Sequence, residues 1–365
     1  MKILLTGGGT GGHVYPALSV AEALRARAGD EPLEFLFVGT VRGDVARLAA
    51  GAGLPFVAVR AAPVRGKTPA GLLGAAWQLG RGTFDAWRTL GGFGPRVVLA
   101  TGGYASVPVS VAARLRRVPL VLYLPDVQPG WAVRFLARLA LRVATTTDAS
   151  LNHLPRRKAV VTGYPVRAAF WQQDRAAARA ALGCLAPGDL PLLLVTGATQ
   201  GAEAINRAVF AALPALLPRC AVLHQTGEAG LPAAEGAALL LPTEQRARYR
   251  PVAYLHDMPA AMAAADLAVM RAGASSLAEP PALGLATILV PAQYAGAHQR
   301  FNAEFMAARG AAALLPEAEL GALAETALAL LDDAPRLAAI RAAATALARP
   351  RAADAIAALV LEAAA

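Results

Sequence analysis

A chain of 365 residues is too long for one ordinary core and suits two domains of about 150 to 200 residues each. Its formal net charge of +10 is carried almost wholly by Arg, since Lys2, Lys67 and Lys158 are the only lysines; the balance favours phosphorylated substrates or an acidic lipid surface, and with no zinc-finger spacing or RNA-recognition aromatic motif we expect no nucleic-acid partner. Hydrophobic content of 56% and a mean hydropathy of +0.44 raise the question of membrane spans, but residues 97–113 are broken by Gly102, Gly103 and Pro108, and residues 280–297 hold Pro280, Pro281 and Pro291, so neither is a continuous apolar run of about 20 residues.

The N-terminus enters directly into an apolar run, residues 2–6, that fits a buried parallel strand, without the basic region and cleavage site of a secretory signal. Gly7-Gly-Gly-Thr-Gly-Gly-His13 follows, and residues 14–26 then carry the helical spacing Leu18, Ala21, Leu24 with Pro16 near the start. Strand, glycine loop and helix are the order a phosphate cradle needs. Glycines let the backbone approach a ligand, and the helix N-terminus turns free N–H groups and a partial positive charge toward it. Gly7, Gly9 and Gly12 also satisfy the dinucleotide pattern G-x-G-x-x-G, which requires an acidic residue at the tip of the second strand. The predicted strand 34–38 runs instead into Gly39-Thr40, which weighs against an NAD-dependent oxidoreductase. His13, closing the loop, has the reach and pKa class of a general base.

Further strands are predicted at 56–59, 97–101, 120–124 and 159–161, alternating with helical stretches, so the first half reads as βαβ units in a mostly parallel doubly wound sheet. Gly163-Tyr-Pro-Val-Arg167 pauses the pattern and suits an interdomain crossing. The architecture then begins again, with a strand at 192–196, a small-residue loop from Gly197 to Gly201 and a helix at 204–217. Strands are expected at 221–224, 252–255, 267–270, 287–290 and 312–315. The expected domains are 1–163 and 164–349, with a last helix, about 350–365, packing back on the first. Cys184 and Cys220 form neither metal spacing nor a disulfide framework, which fits a reducing compartment.

Residues 266–279 repeat the opening's logic: a strand, then Arg271-Ala-Gly273, then small residues, then a helix. Ser275 and Ser276 can cap that helix and donate to a phosphate, and Glu279 can accept from ribose hydroxyls; read structurally, Ser276 and Glu279 form a capping box. Gln299 follows the next strand at the same sheet edge.

Gly8-Gly-Thr-Gly-Gly-His13, Thr101-Gly-Gly-Tyr-Ala-Ser106, Gly163-x-Pro-Val-Arg167, His224-Gln-Thr-Gly227, Asp257-Met258, Arg271-Ala-Gly-Ala274 with Glu279, and His298-Gln299-x-x-Asn302-Ala303 occur in the order in which they stand in the MurG family, which this chain resembles over nearly its whole length. Those are the N-acetylglucosaminyltransferases that convert lipid I to lipid II in peptidoglycan synthesis. The resemblance implies an α/β, GT-B fold: two Rossmann-like doubly wound parallel-sheet domains facing a central cleft. It implies an inverting transfer of N-acetylglucosamine from UDP-N-acetylglucosamine to the MurNAc 4-hydroxyl of the undecaprenyl-diphosphate-linked acceptor, by a peripheral enzyme on the cytoplasmic face of the cell membrane. Thr10, Gly11 and Gly12 would meet the sugar and diphosphate region, with His13 or Asp126 as base. Arg167, Thr199, Leu255 through its backbone, Ala274, Ser275, Ser276, Leu277, Ala278, Glu279 and Gln299 would hold the UDP-sugar, and Gly102, Gly103 and Tyr104 would frame the acceptor side. No D-x-D motif occurs, so the leaving diphosphate is expected to meet the helix N-terminus at 274–276 and Arg167, with no cofactor or catalytic metal.

The chain departs from the family pattern in one segment. Tyr123-Leu-Pro-Asp126 stands where the family usually reads His-Glu-Gln-Asn; a later Asn is Val133, Tyr164 replaces the Asn of Gly-Asn-Pro-Val-Arg, and Ala198-Thr199 replaces Gly-Ser. The departures leave open a related GT-B transferase acting on another lipid acceptor. For docking on an anionic membrane surface, residues 64–87 offer Leu72, Leu73, Trp77 and Trp87 among Arg65, Lys67, Arg81 and Arg88.

Overall fold

Runs such as Leu120–Leu124, Leu192–Thr196 and Ala286–Val290 are buried along their whole length, the signature of strands covered on both faces. The computed structural model describes residues 1–8, 11–29, 31–41, 45–61, 69–185, 190–197, 201–293 and 298–365, with backbone alone at residues 11, 69–73 and 184. Two sheets result. The first holds β1 (Lys2–Thr6), β2 (Glu34–Gly39), β3 (Phe56–Ala58), β4 (Val97–Ala100), β5 (Leu120–Leu124), β6 (Arg142–Thr145) and β7 (Ala159–Val161) in the order β3-β2-β1-β4-β5-β6-β7. The second holds β8 (Leu192–Thr196), β9 (Ala221–Gln225), β10 (Tyr249–Val252), β11 (Leu267–Arg271), β12 (Ala286–Val290) and β13 (Ala313–Leu314) in the order β10-β9-β8-β11-β12-β13. Every strand pairing among the described residues is parallel.

Three elements differ from the sequence expectation. The first helix begins at Gly11, three residues before Val14, and runs to Ala28. Strand β6 carries only Val143 and Ala144 as apolar signal, too little for a periodicity to register, yet both are fully buried between β5 and β7. The strand expected at 252–255 is β10 at Tyr249–Val252, whose Val252 pairs with Gln225, so residues 253–255 pass beyond the sheet as loop. Pro251 masked this strand: a proline offers no ladder N–H and is tolerated at an edge, where β10 lies.

The chain divides into two compact units, Met1–Arg167 with Arg349–Ala365 and Ala168–Ala348. Within the first, the terminal helix Ala352–Ala364 packs on the helix Gly11–Ala28, burying Ile356, Ala357 and Val360. Arg27 to Asp354 (3.4 Å) fringes that contact and Arg142 to Glu362 (2.7 Å) ties the same terminal helix to β6, both as half-exposed ion pairs of small energetic weight. No described helix is long and apolar enough to cross a membrane.

Candidate active site

An open parallel sheet binds ligands where its strand order reverses, at the carboxyl ends of the strands flanking that point. In the first unit the reversal lies between β1 and β4, and the loops leaving those strands interlock. Gly103 has φ +79, and a side chain there would come within 2.6 Å of the Gly8 carbonyl oxygen; a side chain on Gly8 would come within 2.3 Å of the Ala105 Cβ. Only glycine lets the two backbones meet this closely. Ser106 Oγ closes the second loop by donating to the Gly102 carbonyl at 2.7 Å.

His13 stands on this rim, half-buried in the first turn of its helix. Its Nδ1 lies 2.8 Å from the Thr101 carbonyl oxygen, which can only accept, so Nδ1 carries the proton and Nε2 is left with its lone pair. Thr101 Oγ1 donates in return to the His13 carbonyl at 2.5 Å, so one residue holds both the ring and the backbone of the histidine. That tautomer and that anchoring are what a general base requires. Gly102 lies beside the ring, and the half-buried Tyr104 follows. Arg167 lies over the Tyr15 ring at 4.5 Å; Tyr15 stands two residues after His13, on another side of the same helix. Thr10 lies outside the described residues, and Gly11 and Gly12 open the helix.

The departures in the 123–164 region turn out to be largely interior. Tyr123, Leu124, Val133 and Tyr164 are all buried; the Tyr123 hydroxyl meets Thr146 Oγ1 at 2.7 Å and its ring stands edge-on to Tyr164 at 6.3 Å. Burial, opposed by the Thr146 hydrogen bond and assisted by nearby Asp126, pushes the Tyr123 phenol well above its ordinary value, so it is a fixed neutral packing group. Two aromatic replacements thus pack on each other instead of lining the rim. Asp126 is the exception, half-buried at the carboxyl end of β5, with its carbonyl accepting from Ser150 Oγ at 3.4 Å.

In the second unit the order reverses between β8 and β11. After β11 the chain enters a 3₁₀ turn, Ala274–Leu277, and then a five-residue helix, Glu279–Leu283. The expected capping box is not formed. Ser276 is fully buried and its hydroxyl donates to the Gly273 carbonyl at 2.7 Å, three residues back in the tight turn. The Ser276 amide also bonds Gly273, at 3.0 Å, so neither group is offered to a phosphate; the amides of Ala274 and Ser275 precede the first hydrogen bond of the turn and are the donors that remain. Leu277 and Ala278 are buried, and Glu279 is half-buried at the start of the helix.

Sequence reasoning assigned no role to the groups that hold this turn. Asn302 Nδ2 donates to the Ala272 carbonyl at 3.0 Å, and Arg271 pairs with Glu317 in a nearly buried contact while reaching the Val290 carbonyl at 3.4 Å. Gln299 Oε1 accepts from the Ala292 amide at 3.0 Å, which turns its NH₂ away from that backbone. The Leu255 amide donates to Gln225 Oε1 at 3.1 Å, leaving the carbonyl as the remaining polar group of that residue. Thr199 lies outside the described residues. Polar side chains at the ends of otherwise apolar strands, Arg271 and Gln225, were the available signal.

Residues 3–145 match the glycosyltransferase family 28 N-terminal domain and residues 192–357 its C-terminal domain. A Roseiflexus sp. protein named UDP-N-acetylglucosamine--N-acetylmuramyl-(pentapeptide) pyrophosphoryl-undecaprenol N-acetylglucosamine transferase is 40% identical, the alignment covering 99% of this chain and 94% of that one. Among solved structures, Acinetobacter baumannii MurG shares the fold with a TM-score of 0.75 at 24% identity, covering 99% of each chain. A UDP-GlcNAc 2-epimerase from Neisseria meningitidis, bound to UDP-GlcNAc, does so with a TM-score of 0.69 at 14% identity, covering 99% of this chain and 100% of that one. With two doubly wound parallel sheets and a relative this close along its full length, the chain belongs to the MurG family of N-acetylglucosamine transferases, within glycosyltransferase family 28.

Proposed function

We infer that the chain transfers N-acetylglucosamine from UDP-N-acetylglucosamine to undecaprenyl-diphosphate-linked N-acetylmuramyl-pentapeptide, lipid I, making lipid II for peptidoglycan. The 40% identity over nearly the whole chain to a transferase so named carries the reading. Transfer of labelled N-acetylglucosamine from its UDP donor to a lipid I analogue tests it; no labelled lipid product would reject it.

In this reading the acceptor's sugar hydroxyl gives its proton to His13 Nε2 as its oxygen attacks the anomeric carbon from the face opposite UDP, inverting the centre. The amides of Ala274 and Ser275 and the guanidinium of Arg167 stabilise the diphosphate that leaves. Glu279 accepts from the ribose hydroxyls, and the Gln299 NH₂ donates to the transferred sugar. Replacing Glu279 with Ala is expected to weaken UDP-N-acetylglucosamine binding by roughly 1.5 to 3 kcal/mol, the scale of hydrogen bonds to a charged group. Calorimetry with an unchanged donor affinity would remove Glu279 from the site.

A lipid-linked acceptor keeps its tail in the bilayer, so the reading also requires docking on the cytoplasmic membrane surface. The helix Pro69–Phe93 supports this with a stripe at helical spacing: Trp77 is 67% exposed, Phe84 58% and Trp87 41%, with Arg81 and Arg88 on the same side. Residues 64–68 and the side chains of Leu72 and Leu73, also expected here, lie outside the described residues. The helix Ser106–Leu115 packs beside this one, and the helix Trp131–Leu139 beside that, adding the exposed stacked pair Trp131 and Phe135 with Arg134 and Arg138. Indole rings set among guanidinium groups suit the headgroup region, where each cation contributes about 1 kcal/mol near anionic lipid. The protein should sediment with anionic vesicles at low salt and release as salt rises, and joint replacement of Trp77, Arg81 and Arg88 should greatly weaken sedimentation while UDP binding persists. Equal pelleting of the triple variant would move the docking surface elsewhere.

A further inference from the structure

We propose that Gln225 is a positioning residue for nucleobase selection, holding the Leu255 backbone so that it accepts from a uracil and not a cytosine. The inference rests on the proposed function and on the family resemblance, by which the Leu255 backbone would hold the UDP-sugar, and takes the base as the part of that donor it meets.

Strand β9 ends in two polar side chains that point to opposite faces. His224 is fully buried, with Nε2 3.1 Å from Asn206 Oδ1 and Nδ1 3.0 Å from the Tyr249 hydroxyl. Asn206 spends its NH₂ on the Thr226 carbonyl at 2.9 Å, which fixes its oxygen toward His224; His224 therefore donates from Nε2 and accepts at Nδ1. Burial lowers its pKa to about 3, so the ring is a neutral link of helix, strand and neighbouring strand. That network pins β9 and β10, whose last paired residues are Gln225 and Val252.

Beyond that pair the chain leaves the sheet, and residues 253–255 have no ladder to hold them. Thr226 and Gly227 donate their amides to Val252 and Ala253, at 2.9 and 3.1 Å, and Gln225, 1% exposed, reaches past them to take the Leu255 amide. Gln225 is the side chain that fixes the far end of this strap. A uracil presents an imide N–H between two carbonyls, whereas a cytosine presents a bare ring nitrogen at the same place. A backbone carbonyl held in position accepts from the first and repels the second, so selectivity depends on how firmly Leu255 is held.

The test is calorimetric titration of the full chain with UDP and with CDP. Gln225→Met, of similar size without an acceptor oxygen, should lower UDP affinity about tenfold and shrink the UDP-to-CDP preference. Gln225→Glu, which keeps an acceptor, should retain the preference. Leu255→Pro removes the donor and should repeat the Gln225→Met result, serving if that variant does not fold. His224→Leu should lower the melting temperature and leave the preference unchanged. If Gln225→Met or Leu255→Pro keeps the wild-type preference, or His224→Leu erodes it as strongly, the assignment is overturned. A wild-type chain that binds neither nucleotide overturns the parent reading as well.

Discussion

Replacing His13 with Ala should lower turnover by roughly 10² to 10⁴, the range for loss of a general base, with UDP affinity unchanged. The size follows from how the ring is held. With Nδ1 committed to the Thr101 carbonyl, the proton-accepting lone pair is on Nε2 in the resting enzyme, and no tautomer change precedes the chemistry. The Thr101 hydroxyl clamps the same residue's backbone, so Thr101→Val should reproduce a smaller part of the loss without touching the imidazole. Asp126, beyond the end of β5 and so two strands from β1, is the competing base, and Asp126→Ala serves as the comparison. Single-turnover rates separate the two: a His13→Ala enzyme near the wild-type rate, beside a crippled Asp126→Ala enzyme, would transfer the role to the carboxylate. Near-wild-type rates in both would place the base elsewhere.

The largest stability effect is expected at Asp266, at the opposite end of β11 from the turn at Ala274–Leu277. Its carboxylate gathers Arg175 (2.6 Å), Arg179 (2.9 Å), Arg341 (3.4 Å) and the Leu192 amide (2.9 Å) at the amino end of β11. Burial pushes the Asp266 carboxyl up, but the Leu192 N–H and the Arg175 and Arg179 guanidinium groups together outweigh it and hold the pKa below the ordinary 3.8. Asp266→Ala leaves three guanidinium groups facing one another without a counter-charge. A fully dry pair broken this way costs about 3 to 5 kcal/mol, and since Arg175 keeps 47% of its side chain in water we expect roughly 3 kcal/mol here. For a unit of this size that is a fall of roughly 6 to 12 °C in its melting transition, measurable by calorimetry. The sign with pH follows: a depressed folded-state pKa stabilises above 3.8 and is lost as pH falls through the lower folded value, so the wild-type advantage over Asp266→Ala should vanish in acid below that point. A variant that melts with the wild type at pH 7 would refute the hub.

The apolar strands and the glycine loops could be read in the sequence because each is a local signal. Leu192–Thr196 is apolar through four residues, and the Gly7–Gly12 run has no common use other than close backbone approach. What could not be read was pairing over distance. Nothing near residue 276 reveals that its hydroxyl turns back to Gly273 within a 3₁₀ turn, since a Ser three residues before a Glu is equally the pattern of a capping box. Tyr123 and Tyr164 looked like two separate losses of polar groups; only their edge-on contact makes them one repacked interior. Likewise Trp77 and Trp87 recur at a spacing shared by core and surface helices, and their exposure decides which. Asp266 gave no sign at all, because its three arginines lie 91, 87 and 75 positions away.

The terminal helix Ala352–Ala364 belongs to the unit that Met1 begins, so the first half of the chain is completed by its last residues. Order of synthesis and order of completion are therefore reversed. Emerging from the ribosome, the first sheet must wait with the apolar face of Gly11–Ala28 uncovered, while Ala168–Ala348, contiguous in sequence, has its whole core available before the chain ends. A stop codon placed before Ala352 would fall far from the glycine loops in sequence and yet strip the packing from the very helix that carries His13.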